Sequence, residues 1–379
     1  MAERIKIGIL FSYSEGWIGG TYYFLNLIRA LNTLNDNDKP HLIIVSESEA
    51  SYQLVKEEGY PYLSYLNKHL QLSFWERAFN KLGRMLFNRN IIAKKHPASA
   101  LPTLFGYYEQ LVDFNCDRKL YWIPDLQDRY YPEYFEAQDL ANRTAVQQLL
   151  ANATAEIVFS SEASKKDFDL YYPSNRSQKY VVNFAVTHPN LSEVDIAAVL
   201  AKYKIEKPYF FAPNQFWSHK NHQVILAAVK ALKDEGKAIT VVFTGNEKTN
   251  GGGYAASLKQ FVITNDLQNN CLFLGFIDRE DQLVLLKEAV AVVQPSLFEG
   301  WSTVVEDAKS NQKLVIASNL AVHHEQLGKN ALFFDPKDKI ELKQQLLAYE
   351  GFNFEASDYA QNIAQFAAKF ITLVKDRNN

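Results

Sequence analysis

Two blocks of short apolar runs, each alternating with helical patterns, constrain this chain more than anything else in it. In the first block, Lys6-Ile7-Gly8-Ile9-Leu10-Phe11 is apolar after its entry lysine, the pattern of a strand buried on both faces. A loop carrying Gly16, Gly19 and Gly20 follows, then Tyr22 to Leu34 with apolar residues at helical spacing. Strand-like runs return at His41 to Val45, Leu120 to Ile123, Ile157 to Phe159 and Tyr180 to Phe184, and Ala185 to Glu193 reads as a linker. In the second block the strands are Tyr209 to Ala212, Thr240 to Phe243, Leu272 to Leu274, Val290 to Val293 and Leu314 to Ala317. Helical patterns fill Asn221 to Asp234, Tyr254 to Thr264 and Asp281 to Glu288. Such alternation makes parallel sheets covered by helices. Two units in tandem predict an α/β chain of two Rossmann-like, doubly wound domains facing a central cleft, with ligands at the carboxyl ends of the strands.

Size and charge narrow the function. A chain of 379 residues exceeds one ordinary core and fits two domains. A formal charge of −3 argues against a globally basic nucleic-acid binder, so no nucleic-acid partner is expected. Cys116 and Cys271 stand in different halves without companions at metal-ligand spacing, which disfavours zinc and a disulfide framework and favours a reducing compartment. Met1 to Lys6 is charged and Ile7 to Phe11 is too short for a secretory signal. No apolar run reaches the ~20 residues of a membrane span. The expectation is a cytoplasmic protein, with any membrane contact peripheral and on the inner face.

The most informative words lie at Gln294-Pro295-Ser296-Leu297-Phe298-Glu299-Gly300-Trp301-Ser302-Thr303-Val304-Val305-Glu306-Asp307-Ala308. An apolar strand end leads into a Pro-Ser turn, a Glu-Gly pair and a new helix starting near Ser302 or Thr303. Such a helix start points unpaired N–H groups and its positive dipole end at the turn, which suits a phosphate. Glu299 on the turn and Glu306 in the first helical turns can border that anion pocket and accept hydrogen bonds from sugar hydroxyls. The alternative is a strand, a turn and a helix with two solvated acids.

This run resembles the donor-site signature of the family 4 retaining glycosyltransferases, which have the GT-B fold. In that family the first Glu lies by the donor sugar's hydroxyls and the second binds the ribose. Six residues separate Glu299 from Glu306 where the usual count is seven, and Asp307 holds the seven-residue position. Glu306 is the preferred ribose ligand and Asp307 its competitor. Leu314 to Ser318 and Glu325-Gln326-Leu327 to Phe333-Phe334-Asp335-Pro336 also look like this family. The resemblance implies a donor-binding domain over about residues 189–355. It implies an acceptor-binding domain over 1–188, with a last helix at about 356–379 crossing back onto it.

Further residues gain roles from the resemblance. Asn214-Gln215-Phe216-Trp217-Ser218-His219-Lys220-Asn221-His222 follows the first strand of the second block. A lysine there is placed to neutralise a diphosphate, or is a solvated lysine beside a helix start. The family's loop carries an Arg and, five residues on, a Lys. Lys220 matches the Lys, and Gln215 stands where the Arg would be. His219 and His222 read as ordinary loop histidines. Gly245, closing the strand Thr240 to Phe243, is assigned to the donor site together with Gly300, Trp301, Ser302 and Thr303. Gly19-Gly20 match a paired glycine that lies under the donor phosphates in the family, although strand-to-helix turns often carry glycines. Trp122 to Pro132 is crowded with polar and aromatic groups. Many relatives have a His where Asp128 stands, so Asp128 either orients an acceptor hydroxyl or pairs with Arg129. Ser160-Ser161-Glu162 to Lys166-Asp167 reads as helix capping.

The function these words imply is a retaining, hexosyltransferase-type enzyme. It moves a sugar from a nucleotide sugar to a hydroxyl of a glycan or lipid-linked acceptor, in surface polysaccharide or glycoconjugate synthesis. Glu299, Lys220 and Asp128 are the candidate catalytic residues. No cofactor and no metal are expected, because Lys220 and the helix start supply positive charge. A sugar-nucleotide epimerase of the same fold, a nicotinamide dehydrogenase, against which the glycine loop argues, and a non-catalytic partner protein are the rival readings. One segment lies outside this account: Lys68 to Lys95 holds seven Lys or Arg residues and a single acid, Glu76. Phe74, Trp75, Ala78, Phe79, Leu82, Met85 and Leu86 make a helical apolar stripe, with Arg77, Lys81 and Arg84 on another face. Either it is a surface helix for anionic membranes or its stripe is packed on the domain.

Overall fold

The computed structural model describes residues 4–13, 18–69, 73–87, 96–114, 116–189, 191, 194–248 and 252–376. The chain divides into two compact units. The first is Met1–Ser160, Lys165–Phe184 and Ala364–Asn379; the second is Ser161–Ser164 and Ala185–Ile363. The fold is GT-B, two Rossmann-like α/β units each built on a wholly parallel sheet. Gly16, the linker's Asn190 and Glu193, and the two ends of the basic segment, 70–72 and 88–95, lie outside the described residues.

The first sheet runs in the order β3-β2-β1-β4-β5-β6-β7. Its strands are β1 Lys6–Leu10, β2 His41–Ser46, β3 Leu63–Asn67, β4 Leu104–Tyr107, β5 Lys119–Ile123, β6 Glu156–Phe159 and β7 Gln178–Val181. Central strands read as apolar runs because both faces are covered: Ile7, Ile9 and Leu10 of β1 are fully buried. The sequence reading missed β3 and β4. β3 is an edge strand, half-buried along its whole length, so Leu63-Ser64-Tyr65-Leu66-Asn67 shows no apolar run. β4 is four residues long and carries Gly106. The helix Ala360–Lys375 ends on this unit. Phe370 packs edge-on against Phe105 at 5.0 Å, and the Arg118 guanidinium donates to the carbonyls of Leu373 and Val374 at 3.0 and 2.9 Å. That contact satisfies carbonyls a helix end leaves free, and Glu156 fixes the arginine from the other side at 2.5 Å.

The second sheet has the order β10-β9-β8-β11-β12-β13. Its strands are β8 Phe210–Ala212, β9 Val241–Phe243, β10 Cys271–Phe273, β11 Ala291–Gln294, β12 Val315–Ser318 and β13 Ala331–Phe334. Phe243, Val293 and Ile316 bury one face against the helix His222–Asp234, whose Ile225, Ala228 and Leu232 are fully covered. Phe211, Val242, Val292 and Val315 bury the other face. The strand order reverses between β8 and β11, and a reversal opens a crevice at the carboxyl ends of those two strands. Among the described residues no helix is long and apolar enough to cross a membrane.

Candidate functional site

The loops that leave β8 and β11 at the reversal meet directly. The Leu297 N–H donates to the His219 carbonyl at 2.8 Å. Asn221, in the left-handed region at φ 56°, donates its side-chain amide to the carbonyls of Pro295 and Pro336 at 3.0 and 2.8 Å. A third loop, after β9, is held by Gln215, whose Oε1 accepts the Asn246 N–H at 2.7 Å. Gly245 has no substitute here. Its φ is +153°, and a Cβ would lie 2.3 Å from the Asn214 carbonyl oxygen.

Lys220 and Glu299 face each other at the centre of this junction, Nζ to Oε1 at 2.6 Å. Glu299 is fixed further by the Gln294 amide and the Ser296 hydroxyl, each donating at 2.7 Å. Asn214 in turn orients Gln294, donating to its Oε1 at 2.9 Å. Burial pushes the Glu299 carboxyl up, but the Lys220 ammonium, its hydrogen bond and the Ser296 hydroxyl outweigh that and hold it below the ordinary carboxylate range. Glu299 is therefore an anion at neutral pH, rigidly aimed, with Lys220 as its counter-ion. Beside it His323 is fully buried and held neutral by burial. Its Nδ1 lies 2.8 Å from the Ser318 carbonyl and must carry the proton, which leaves Nε2 as an acceptor with no partner among the described residues. His219 and His222 are also neutral, each pushed by burial to about 3. His222 stacks on Phe216 at 4.7 Å, so it is a core group.

The helix Thr303–Ser310 starts at the same junction with Ser302 as its cap, Oγ accepting the Val305 N–H at 3.3 Å. Gln326 holds the Ser302 backbone from both sides: its Oε1 accepts the Ser302 N–H at 3.0 Å and its Nε2 donates to the Ser302 carbonyl at 3.1 Å. The Ser302 amide is thus occupied inside the protein. The N–H groups of Thr303 and Val304 have no partner among the described residues, as first-turn amides of a helix do not. Glu306 is fully buried, accepting from Lys309 at 2.8 Å, Gln326 at 3.0 Å and the Tyr359 hydroxyl at 2.6 Å. Asp307 points elsewhere, to Arg279 at 2.5 Å and toward His188 at 3.6 Å. Gln326 therefore ties Glu306, not Asp307, to the Glu299–Ser302 turn. Trp301 lies with its ring 5.9 Å from the Lys309 ammonium, and the preceding Gly300 is buried.

Of the residues singled out from the sequence, Gln215, Lys220, Gly245, Glu299, Gly300, Trp301, Ser302, Thr303 and Glu306 all belong to the second unit. Gln294, Ser296, His323 and Tyr359 went unnoticed as site residues. Gln294 ends a strand and reads as strand, and Tyr359 stands 53 positions from Glu306, so no local spacing links them. Gly19, Gly20 and Asp128 belong to the first unit. Gly19 and Gly20 lie in the first turn of the helix Ile18–Asn32, and a Cβ at Gly19 would meet nothing within 4 Å. Asp128 is buried, both of its carboxylate oxygens accepting from Gln147 Nε2, at 3.1 and 3.2 Å, with Arg129 at 3.6 Å. Its carboxylate is satisfied inside its own unit.

Parallel sheets of this order, with a lysine–carboxylate pair and a helix start at the strand reversal, make up the candidate site of the second GT-B unit. Residues 197–375 match the family of glycosyl transferases group 1. The chain is 31% identical over 136 residues to the O-antigen chain mannosyltransferase RfbU of Salmonella typhimurium, covering 36% of each. It is 25% identical over 199 residues to Protein CapJ of Staphylococcus aureus, covering 52% of this chain and 47% of that one. The matched stretch thus spans between a third and a half of these relatives. Anabaena Alr3699/HepE, solved in complex with UDP-glucose, has the same fold at a TM-score of 0.65 and 16% identity, covering 98% of this chain and 95% of that one. A glycosyltransferase from Rickettsia africae matches at 0.63 and 16%, covering 98% and 93%.

Proposed function

We propose that this protein is a retaining glycosyltransferase of the family 4 type that uses a nucleotide-sugar donor. The observation that carries the reading is the Lys220–Glu299 pair on the turn that leads into the helix Thr303–Ser310, whose Thr303 and Val304 amides have no partner among the described residues. In the proposal the donor diphosphate draws the Lys220 ammonium and accepts hydrogen bonds from the two amides. Glu299 then turns its carboxylate to the sugar hydroxyls, and Glu306 serves the ribose. The match of residues 197–375 to glycosyl transferases group 1 supports this, as does HepE, which shares the fold and was solved with UDP-glucose.

Chemically, the bond between the anomeric carbon and the phosphate oxygen breaks while the acceptor oxygen attacks from the same face. The acceptor's proton passes to the departing phosphate, so no protein nucleophile is required. Charge growing on that phosphate is met by Lys220 and the helix start, which is electrostatic stabilisation of the transition state. No step uses a metal ion or a cofactor. The first unit takes the acceptor in this reading, a glycan or a lipid-linked sugar. The likeness to an O-antigen chain mannosyltransferase favours surface polysaccharide synthesis.

Incubation with a panel of UDP- and GDP-sugars tests the proposal. Thermal shift identifies the donor, and proton coupling at the anomeric carbon of the transferred sugar reads the stereochemistry. Retention is the expected outcome. Conversion of the donor to an isomer without an acceptor would make the protein an epimerase, and no binding of any nucleotide sugar would make it a non-catalytic relative.

A further inference from the structure

Seven of the chain's 40 basic residues, but one of its 43 acidic residues, fall between Lys68 and Lys95. The described part of this segment includes the helix Phe74–Phe87. A capping box starts it: Ser73 Oγ accepts the Glu76 N–H at 3.3 Å, and the Glu76 carboxylate accepts the Ser73 N–H at 2.8 Å. The one acid is thereby used at the helix start. Phe74, Trp75, Phe79 and Leu82 are 71, 71, 52 and 48% exposed. Trp75, Phe79 and Leu82 recur at helical spacing, with exposed Phe74 and Ala78 filling the same arc. A helix packed on its domain buries such an arc. This one leaves it open, and Lys81 beside it is exposed as well.

We propose that this helix docks the protein on a bilayer rich in anionic lipid, its aromatic arc entering the headgroup boundary and its basic residues meeting the phosphates. Contiguous exposed aromatics mark an interaction surface. Tryptophan and phenylalanine opposite lysine and arginine are the composition of interfacial helices. The charge selects the partner. Two copies stacked arc to arc would set their basic residues against each other, whereas anionic headgroups neutralise them. The inference is independent of the chemistry proposed for the second unit.

Co-sedimentation of the full chain with vesicles tests it. One set is phosphatidylglycerol mixed with phosphatidylcholine and the other is phosphatidylcholine alone, at ~0.1 M and ~0.5 M salt. Binding to the anionic set should exceed binding to the neutral set by at least about tenfold and fade at high salt. Lys81→Glu should lower it by about fivefold or more, from ~1 kcal/mol per basic residue near the surface. Trp75→Ser with Phe79→Ser should abolish it while leaving the melting temperature unchanged, since both side chains are exposed. Equal recovery from the two sets, no recovery, or variants that bind as the parent does would overturn the proposal. So would a concentration-dependent dimer that Trp75→Ser dissociates, which would assign the arc to a second copy.

Discussion

The side-chain amide of Gln326 closes a two-point clamp on the backbone of Ser302, taking its N–H at 3.0 Å and its carbonyl at 3.1 Å. The same amide nitrogen reaches Glu306 at 3.0 Å. One buried side chain from the helix Ala321–Leu327 thus sets both the turn that carries Glu299 and the register of the helix that carries Glu306.

Removing the clamp should loosen all of it. Gln326→Ala leaves the buried Ser302 N–H without its partner and takes one of three donors from Glu306, and a buried polar group stripped of its partner costs roughly 1–3 kcal/mol. Melting should drop accordingly, and the affinity for UDP or GDP should fall with it. Gln326→Glu keeps an acceptor for the Ser302 amide but sets a second carboxylate against Glu306, so it should not rescue. A variant that melts and binds like the parent would show that the turn holds itself.

Glu306 and Asp307 should separate cleanly. Glu306→Gln is expected to weaken nucleotide binding strongly, because Glu306 belongs to the network that joins Tyr359, Lys309 and Gln326 at the turn. Asp307→Asn is expected to act on stability instead, through its ion pair with Arg279. Calorimetry with UDP and GDP on both variants, beside their melting curves, decides between them. The opposite ranking would assign the ribose to Asp307.

This contest shows where sequence reading runs out. The two parallel sheets were legible because β1, β8, β11 and β12 are buried on both faces and so are written in apolar residues. The glutamate turn was legible because a strand, a Glu-Gly pair and a helix start follow each other within a few residues. The shared register of Glu306 and Asp307 was not, since adjacent residues on a helix differ only in direction, and direction is fixed by distant Gln326 and Tyr359. Likewise the exposure of Phe74 and Trp75 is invisible to periodicity, which is the same for a buried and an open stripe.

Acid should destabilise the second unit from about pH 6.5 downward through its buried histidines. The buried His222 is pushed down to about 3, so between pH 3 and 6.5 the unfolded chain binds a proton there that the folded chain does not. Stability then rises with pH across that window by about 1.4 kcal/mol per pH unit for each such histidine and is flat above it. His219, also pushed to about 3, adds in the same sense. His222→Phe, which keeps the stack on Phe216, should lower the pH dependence of melting between 3 and 6.5 and leave the share due to His219. An unchanged slope would mean that the imidazole titrates normally in the fold.

The most direct test is calorimetry of UDP and GDP binding to the parent and to Lys220→Ala. Lys220 is taken here to leave Glu299 for the diphosphate, a charge-assisted contact worth roughly 1.5–3 kcal/mol. The variant should lose that much affinity for whichever nucleotide the parent binds, while Lys230→Ala, toward the far end of the helix His222–Asp234 and paired with Asp234, should lose none. A folded Lys220→Ala protein that binds the nucleotide as tightly as the parent would contradict the account and reduce the Lys220–Glu299 pair to a structural ion pair.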